Sequence, residues 1–248
     1  MIYPDFPSLK PYLRSSAGIL IDLDGTLMSG GRLYPDARPF LESLDQPFVI
    51  LSNDSEHTAD ELAQMFHHQG IALHANQFIL AGVALVEEFA RMEPGARVMI
   101  LGAPALQALA RQRGLVLDDE CPVAIMVMRD PEFSYQRLTL AAGALHRGAR
   151  MIVACPDVSH PSPSGDPVPE AGALAAAIQA CTSINEYAVF GKPEPALYEL
   201  ATRRLGIPPF ACAMIGDNPD TDGVGAHRLD MTFYQISRLK NERLKYAA

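Results

Sequence analysis

Short apolar runs alternate with amphipathic segments along the chain. Apolar runs bounded by turn residues predict buried strands, whereas apolar residues spaced three and four positions apart predict helices. Strands are predicted at residues 17–23, 47–52, 97–101, 123–128, 150–154, 187–190 and 211–215. Helices are predicted at residues 34–44, 55–70, 82–91, 105–113, 135–147, 170–180 and 195–205, the second of them capped by Ser55. This alternation predicts an α/β fold in which helices cover both faces of a doubly wound parallel sheet.

Two acidic residues follow the first predicted strand. Asp22 and Asp24 lie at its carboxyl end, where open α/β sheets bind their ligands, and Gly25 comes directly after them. Side chains two positions apart along a strand lie on the same side, so the two carboxylates should be close together. Their mutual repulsion predicts a divalent cation, a shared proton, or both. The alternative is an ordinary Asp-Gly turn, which Asp24 and Gly25 alone would satisfy.

Other polar residues near strand ends also allow two interpretations. Ser52 ends the second predicted strand, and it is either a strand-end or helix-cap residue or a hydroxyl that binds a ligand. The segments Gly191-Lys192-Pro193 and Asp217-Asn218-Pro219-Asp220 have the composition of turns. Each segment taken alone therefore has a purely structural explanation.

Together, four segments resemble the four motifs of the haloacid dehalogenase-like (HAD) hydrolases, most of which are Mg²⁺-dependent phosphatases. The first is Asp22-Leu23-Asp24-Gly25-Thr26, and the second is the apolar run 48–51 followed by Ser52 and Asn53. The third is Gly191-Lys192-Pro193, and the fourth is residues 213–218 followed by Thr221 and Asp222. All four occur in the family's order, each at or just after a predicted strand, so the resemblance covers nearly the whole chain.

The resemblance implies that the first two acids carry out phosphate chemistry. Asp22 would attack phosphorus and form an aspartyl phosphate, which splits one difficult step into two easier ones. Asp24 would protonate the leaving alcohol and then deprotonate the water that hydrolyses the intermediate. Relatives that expel halide typically lack an acid at this place, because halide leaves without protonation. Asp24 therefore favours phosphoester hydrolysis over dehalogenation.

The resemblance also implies how phosphate and a metal would be bound. Ser52, Lys192 and the backbone amides of Leu23 and Asn53 would bind the phosphoryl group. Mg²⁺, which prefers oxygen ligands, would be bound by Asp22, Asp217 and the backbone carbonyl of Asp24. Asp222 would lie in the outer shell of the metal or orient Lys192.

A long insertion separates the second motif from the third. More than 130 residues lie between Asn53 and Lys192, enough for an α/β cap domain. We predict a core domain of residues 1–80 and 183–248 and an inserted cap of residues 81–182. The segment Cys155-Pro156-Asp157, the proline-rich loop after it and residues 171–174 resemble the cap of the NagD-like branch, the p-nitrophenyl phosphatase group. Two departures are Cys155, where the branch usually has Asn, and Gly223-Val224-Gly225, where an apolar residue is commoner.

The function predicted from these features is Mg²⁺-dependent hydrolysis of a small phosphate monoester. Nucleotides, pyridoxal phosphate, phosphoglycolate and sugar phosphates are all open as substrates. Asp157 and His160, on the proline-rich loop, are candidates for substrate contacts; otherwise they are a loop carboxylate and a surface imidazole. The alternatives to a phosphatase are phosphoryl transfer to an acceptor other than water and a non-catalytic sensor of a phosphorylated metabolite. The full set of acids argues against the sensor, because binding alone does not require Asp24.

Composition narrows the range of partners. The chain has 248 residues, of which 48% are hydrophobic and 20% charged, and its net charge is −9. Such an acidic chain lacks the basic footprint of a nucleic-acid-binding protein. No apolar run reaches membrane-spanning length, and residues 1–16 lack the apolar core of a signal peptide. The four cysteines have neither zinc-ligand nor dense disulfide spacing, so we expect reduced thiols in a cytoplasmic protein. The resemblance adds the expectation of a homodimer formed through the cap.

Overall fold

The computed structural model of the chain describes residues 2–162, 164, 166–182, 184 and 186–238. They form two compact units, which we call the first and the second unit. The first contains the described residues of 1–52, 63–79 and 192–248, and the second contains those of 53–62 and 80–191. The domain limits predicted from the sequence differ from these units at residues 53–62, 80 and 183–191.

Short strands and helices alternate through both units. The strands are β1 (Ile2–Tyr3), β2 (Gly18–Ile21), β3 (Met28–Ser29), β4 (Arg32–Leu33), β5 (Phe48–Ser52), β6 (Phe78–Leu80), β7 (Arg97–Leu101), β8 (Val116–Leu117), β9 (Ala124–Val127), β10 (Arg150–Val153), β11 (Ser159–Pro161), β12 (Pro167–Pro169), β13 (Ala188–Val189), β14 (Cys212–Gly216) and β15 (Thr232–Ile236). The α-helices are α1 (Phe6–Leu9), α2 (Ala37–Glu42), α3 (Ala59–His68), α4 (Ala81–Met92), α5 (Pro104–Gln112), α6 (Tyr135–His146), α7 (Ala171–Ala180), α8 (Pro195–Leu205) and α9 (Val224–His227). None of the helices within the described residues has the length and hydropathy needed to cross a bilayer.

The first unit is built on a six-stranded sheet in the order β1-β15-β14-β2-β5-β6. Strand β2 lies inside this sheet and pairs in parallel with β14 on one side and with β5 on the other. Its residues Ile19, Leu20 and Ile21 are fully buried, as expected for a parallel strand covered on both faces. The carboxyl ends of β2, β5 and β14 therefore meet at one edge of the sheet, where the polar residues of three predicted motifs follow.

The second unit contains a five-stranded sheet in the order β13-β10-β9-β7-β8, and all neighbouring strands are parallel. Apolar residues of β9 and β10, including Ile125, Val127 and Val153, pack in one cluster with Ala175 and Ile178 of α7. The two parallel sheets with their helices confirm the predicted α/β fold class.

Two local predictions need correction. Helix α3 begins at Ala59 and not near Ser55, because Thr58 and Glu61 form the capping box. The Thr58 N–H donates to Glu61 Oε2 at 2.7 Å, and the Glu61 N–H donates to Thr58 Oγ1 at 3.3 Å. The Ser55 hydroxyl instead accepts a hydrogen bond from the Arg129 N–H at 3.0 Å. The strand predicted at residues 187–190 forms as β13 and pairs with β10, so it belongs to the second sheet and not to the first.

Candidate active site

Asp22 lies directly after β2 and is buried, with 5% of its surface exposed. Its backbone N–H donates to the Ile215 carbonyl at 2.8 Å, which extends the pairing with β14 by one residue. Its Oδ1 accepts a hydrogen bond from Lys192 Nζ at 2.5 Å. Its Oδ2 has no hydrogen-bond partner among the described residues. A buried carboxylate oxygen without a partner is costly, so this atom marks a place where a ligand would be bound.

The chain turns sharply after Asp22. Gly25 has a φ of 81°, a conformation that favours glycine, and a side chain at this position would collide with the Asp217 carboxylate. The Gly25 N–H donates to the Met28 carbonyl at 2.8 Å, and the Met28 N–H donates to the Leu23 carbonyl at 3.0 Å. Leu23 is buried and Asp24 is exposed. The turn thus separates a buried acid from an exposed acid within three residues.

Lys192 joins two of the predicted acids. It is buried, and its Nζ lies 2.5 Å from Asp22 Oδ1 and 2.7 Å from Asp222 Oδ1. Burial alone would lower the pKa of Lys192, but the two adjacent carboxylates raise it well above its usual value. Lys192 is therefore a fixed positive charge beside Asp22.

The fourth motif is folded around Asp222. The π-helical turn Pro219–Gly223 places this acid back against the end of β14, where a side chain on Gly216 would collide with it. Asp222 Oδ2 accepts a hydrogen bond from the Asn218 N–H at 3.2 Å, and Oδ1 accepts the one from Lys192. Both carboxylate oxygens of Asp222 are thus in use, which suits a residue that orients Lys192.

Three acids converge at this edge of the first sheet. Asp22, Asp217 and Asp222 each offer a carboxylate oxygen, and these atoms lie within 4.8 Å of one another. Burial and the neighbouring Asp22 carboxylate raise the pKa of Asp217, while burial raises the pKa of Asp222 despite the nearby Lys192. Lys192 can neutralise only one of the three charges. An all-oxygen donor set with excess negative charge and an unpartnered oxygen fits a hard divalent cation.

Ser52 and Asn53 stand where the chain passes from the first unit to the second. Ser52 is the last residue of β5 and is buried. The Asn53 side-chain amide donates to Asp157 Oδ2 at 2.8 Å. The structure thus brings together two sequence-predicted residues, Asn53 and Asp157, that are 104 positions apart.

His160 lies in a separate polar cluster of the second unit. Its Nδ1 lies 2.6 Å from Glu170 Oε1, and Arg129 bridges Glu56 at 2.6 Å and Glu170 at 4.0 Å. Burial raises the pKa of Glu170 to about 7, and burial followed by the charge of Arg129 lowers the pKa of His160. Glu56, Arg129 and Glu170 are far apart in sequence, and no sequence pattern singled them out.

Sequence reasoning also missed residues that hold the backbone of the site. The Tyr198 hydroxyl contacts the carbonyls of Thr221 and Asp222 at 3.0 and 3.2 Å, and Gln235 Nε2 donates to the Asp217 carbonyl at 3.0 Å. Tyr198 looks like an apolar helix position in the sequence, and Gln235 has no motif around it. Glycine was the available sequence signal for the packing around the acids. A side chain at Gly25 would collide with Asp217, and one at Gly216 would collide with Asp222.

The chain matches the sequence models of known families and the sequences of known proteins. Residues 19–116 match the sequence model of the family described as haloacid dehalogenase-like hydrolase, and residues 189–238 match the one described as HAD-hydrolase-like. An acid sugar phosphatase of Staphylococcus saprophyticus is 30% identical over 88% of this chain and 85% of its own length. Chronophin of Rattus norvegicus is 32% identical over 91% of this chain and 77% of its own length.

Solved structures give the same relationship. A 4-nitrophenylphosphatase of Thermotoga maritima superposes with a TM-score of 0.83 and 29% identity, covering 90% of this chain and 86% of its own. A glycerol phosphate phosphatase of Mycobacterium tuberculosis, in complex with magnesium, superposes with a TM-score of 0.82 and 27% identity over 90% of this chain and 68% of its own. The predicted resemblance is confirmed: the chain is an enzyme that belongs to the haloacid dehalogenase-like hydrolases, in the branch of the NagD-like and p-nitrophenyl phosphatases.

Proposed function

We propose that the protein hydrolyses a small phosphate monoester in a Mg²⁺-dependent reaction through an aspartyl phosphate at Asp22. The observation that carries the proposal is the state of Asp22, a buried carboxylate with one oxygen bonded to Lys192 and the other without a described partner. An acid held in this way has an oxygen available for phosphorus and a cation beside it for the phosphoryl charge.

The proposed reaction has two steps. An oxygen of Asp22 forms a bond to phosphorus while the bond from phosphorus to the ester oxygen breaks. Asp24 gives its proton to that leaving oxygen, so the product is a neutral alcohol. Asp24 then takes a proton from a water molecule that attacks phosphorus, which releases phosphate and restores the Asp22 carboxylate. The exposed position of Asp24 suits both transfers, because each needs contact with the leaving group or with water.

We expect the phosphoryl group to be bound by donors from three of the motifs. The buried Ser52 hydroxyl, the Leu23 and Asn53 amides and the Lys192 ammonium would interact with the phosphoryl oxygens. Lys192 is fixed by Asp222, which supports an orienting or outer role for that acid. A side chain fixed before the substrate binds needs little reorganisation in the transition state.

Mg²⁺ would be held by Asp22, Asp217 and the backbone carbonyl of Asp24. When bound, the ion would neutralise charge on the phosphoryl oxygens and relieve the repulsion between the acids. The proximity of the carboxylates and the magnesium complex of the glycerol phosphate phosphatase support this choice of ion.

The names of the relatives support a substrate class. They are named for sugar, glycerol and 4-nitrophenyl phosphates, which supports a small monoester, with sugar and polyol phosphates placed before nucleotides, pyridoxal phosphate and phosphoglycolate. The test is release of phosphate from p-nitrophenyl phosphate and from a panel of phosphorylated metabolites, ranked by kcat/KM, with and without Mg²⁺ and chelator. We expect turnover that is lost with chelator and restored by Mg²⁺.

The same assay separates the alternatives. Phosphoryl transfer to an added alcohol, in preference to water, would make the protein a phosphotransferase. Tight binding of a metabolite without turnover of any ester would make it a sensor and would contradict the proposed hydrolysis.

We further propose that Asp157 and His160 select the substrate. Asp157 accepts a hydrogen bond from Asn53, which follows Ser52 directly in the chain. Removal of the Asp157 carboxylate should therefore alter contacts with the part of the substrate that lies outside the phosphoryl group. Asp157→Ala and His160→Ala should change the ranking of substrates by kcat/KM and leave the Mg²⁺ affinity nearly constant. Asp119→Ala, an exposed acid of the same unit, is the matched control. An unchanged ranking in both variants would contradict the proposal.

A further inference from the structure

Arg238 is a buried arginine two residues beyond β15, with 8% of its surface exposed. Its guanidinium carbon lies 4.7 Å from the centroid of the Phe6 ring and 4.4 Å from that of the Tyr34 ring. The planar group therefore packs against two aromatic side chains of the first unit, and a flexible ammonium would not pack in the same way.

The polar contacts of this guanidinium reach two segments. Nη1 donates to both carboxylate oxygens of Asp36 at 2.9 Å, and Nη2 donates to the Thr26 carbonyl at 2.8 Å. Asp36 Oδ2 also accepts a hydrogen bond from the Phe6 N–H at 3.1 Å. Asp36 thus anchors Arg238, while Thr26 is the group that Arg238 holds.

Thr26 is the last residue of the motif that carries Asp22 and Asp24. Asp24 is exposed, so burial does not fix its position. The backbone of the turn around Gly25 sets the direction in which its side chain leaves the chain. The hydrogen bonds between residues 23, 25 and 28 close this turn from within. The Arg238 contact with Thr26 restrains the same turn from outside, through a residue 212 positions away in the chain.

We propose that Arg238 is a positioning residue for Asp24: by binding the Thr26 carbonyl it holds the turn so that Asp24 can transfer a proton to the leaving group. This role rests on the proposed function. Asp22 lies at the end of β2 and is held by Lys192 and Ile215, so loss of Arg238 should affect the nucleophile much less than the proton donor.

The consequence is a dependence on the leaving group. A p-nitrophenolate leaves without much protonation, whereas an alkoxide requires a proton. Misplacing a catalytic group by about 1 Å costs on the order of 100-fold in rate. Arg238→Met should therefore lower kcat/KM for glycerol phosphate by about 10- to 100-fold more than for p-nitrophenyl phosphate. A merely structural role would lower both by the same factor, because it would only reduce the amount of active enzyme.

The experiment measures kcat/KM for both esters in the full chain with Mg²⁺. The variants are Arg238→Met, Arg238→Lys and, as a control, Arg203→Met, an exposed arginine of α8 paired with Glu199. Arg238→Lys keeps the charge next to Asp36, so it tests the role should the methionine variant fail to fold. It should change the substrate ratio in the same direction, and Arg203→Met should leave the ratio unchanged.

A second arm places Arg238→Lys in an Asp24→Asn background. If Arg238 acts through Asp24, the substrate ratio should not change further in the double variant. An equal loss of kcat/KM for both esters, or an additive change of the substrate ratio in the double variant, would overturn the Arg238 proposal. Turnover by the native protein would leave the proposed function intact in that case. A native protein that turns over neither ester would overturn the proposed function and the proposal with it.

Discussion

The two sheets are built alike but differ in the residues at their strand ends. In the first sheet, β2 and β14 lead into Asp22 and Asp217, and β5 ends in Ser52. In the second sheet, β7, β9 and β10 lead into Gly102, Met128 and Ala154, which are buried and carry no ionisable group. Both sheets thus have a buried carboxyl edge of parallel strands, and the proposed catalytic groups lie at the edge of the first sheet.

The two units also differ in the balance of their buried charges. In the first unit, Lys192 lies between Asp22 and Asp222, and Asp217 adds a further acid close by. The second unit buries Asp130, which Arg137 balances at 3.0 Å. A single pair of opposite charges is a structural arrangement, whereas three acids around one lysine are short of positive charge. Unbalanced buried charge, more than the fold, therefore distinguishes the candidate active site from the other sheet edge.

We expect the largest difference between the two units when a buried aspartate of each is replaced by asparagine. Asp22→Asn removes the nucleophile and should lower kcat by on the order of 10⁴-fold or more. Asp130→Asn breaks the pair with Arg137 and should cost about 1–3 kcal/mol of stability with kcat nearly unchanged. Steady-state kinetics and thermal unfolding of both variants test this, once mass spectrometry has excluded deamidation of the substituted side chains. A loss of kcat in Asp130→Asn as large as in Asp22→Asn would erase the distinction.

The next effect concerns proton transfer by Asp24. Asp24→Asn should slow esters of poor leaving groups by about 10²- to 10⁴-fold, and p-nitrophenyl phosphate by less. The activated ester should still slow, because hydrolysis of the intermediate also needs a base. Rates for a series of esters of increasing leaving-group pKa give the measurement. An equal loss across that series, with no change in the rate-limiting step, would exclude the role.

A smaller effect distinguishes two glycines with similar backbone conformations. Gly25 and Gly31 have φ angles of 81° and 75°. A side chain at Gly25 would collide with the Asp217 carboxylate, whereas none of the described atoms lies within 4 Å of a side-chain carbon placed at Gly31. Both alanine variants should lose about 1–2 kcal/mol of stability. Calorimetric titration with Mg²⁺ should show weakened binding for Gly25→Ala alone, and equal Mg²⁺ affinities would argue against Asp217 as a ligand.

The smallest effect belongs to the second unit and depends on pH. A hydrogen bond from His57 to Asp54 raises the pKa of His57 to about 9, although burial opposes this shift. A raised folded-state pKa stabilises the protein below the usual value of 6.5, and this contribution is lost as the pH rises through about 9. His57→Gln should therefore cost about 0.2–1 kcal/mol near pH 6 and little near pH 10. Thermal unfolding measures it, with the exposed His67→Gln as the control; a cost independent of pH would contradict the charged pair.

Much of the fold could be predicted because its signals are local. The buried strands β2, β7, β9 and β14 are nearly continuous apolar runs, and the helices have regular apolar spacing, so a short window identifies each of them. Strand β15, whose sequence is Thr-Phe-Tyr-Gln-Ile, mixes polar and apolar residues and was not predicted. The assignment of β13 to the second sheet depends on its pairing with β10, which no local pattern encodes.

The candidate site shows the same limit. The catalytic candidates could be found because each follows a strand within a short motif. Tyr198 and Arg238 act on the motifs from distant parts of the chain, through hydrogen bonds to backbone carbonyls that any residue could offer. Sequence therefore identified the groups proposed to react, while only the structure identified the groups that hold them.

The formation of a covalent phosphate on Asp22 can be observed by mass spectrometry. In Asp24→Asn the second step lacks its base, so the intermediate should accumulate after mixing with p-nitrophenyl phosphate and Mg²⁺. Acid quenching, proteolysis and mass analysis should find one phosphoryl group on the peptide that contains Asp22. The double variant Asp22→Asn with Asp24→Asn, treated in the same way, should carry none. A phosphoryl group on another residue, or an unmodified Asp22 peptide during measurable turnover, would contradict the proposed mechanism.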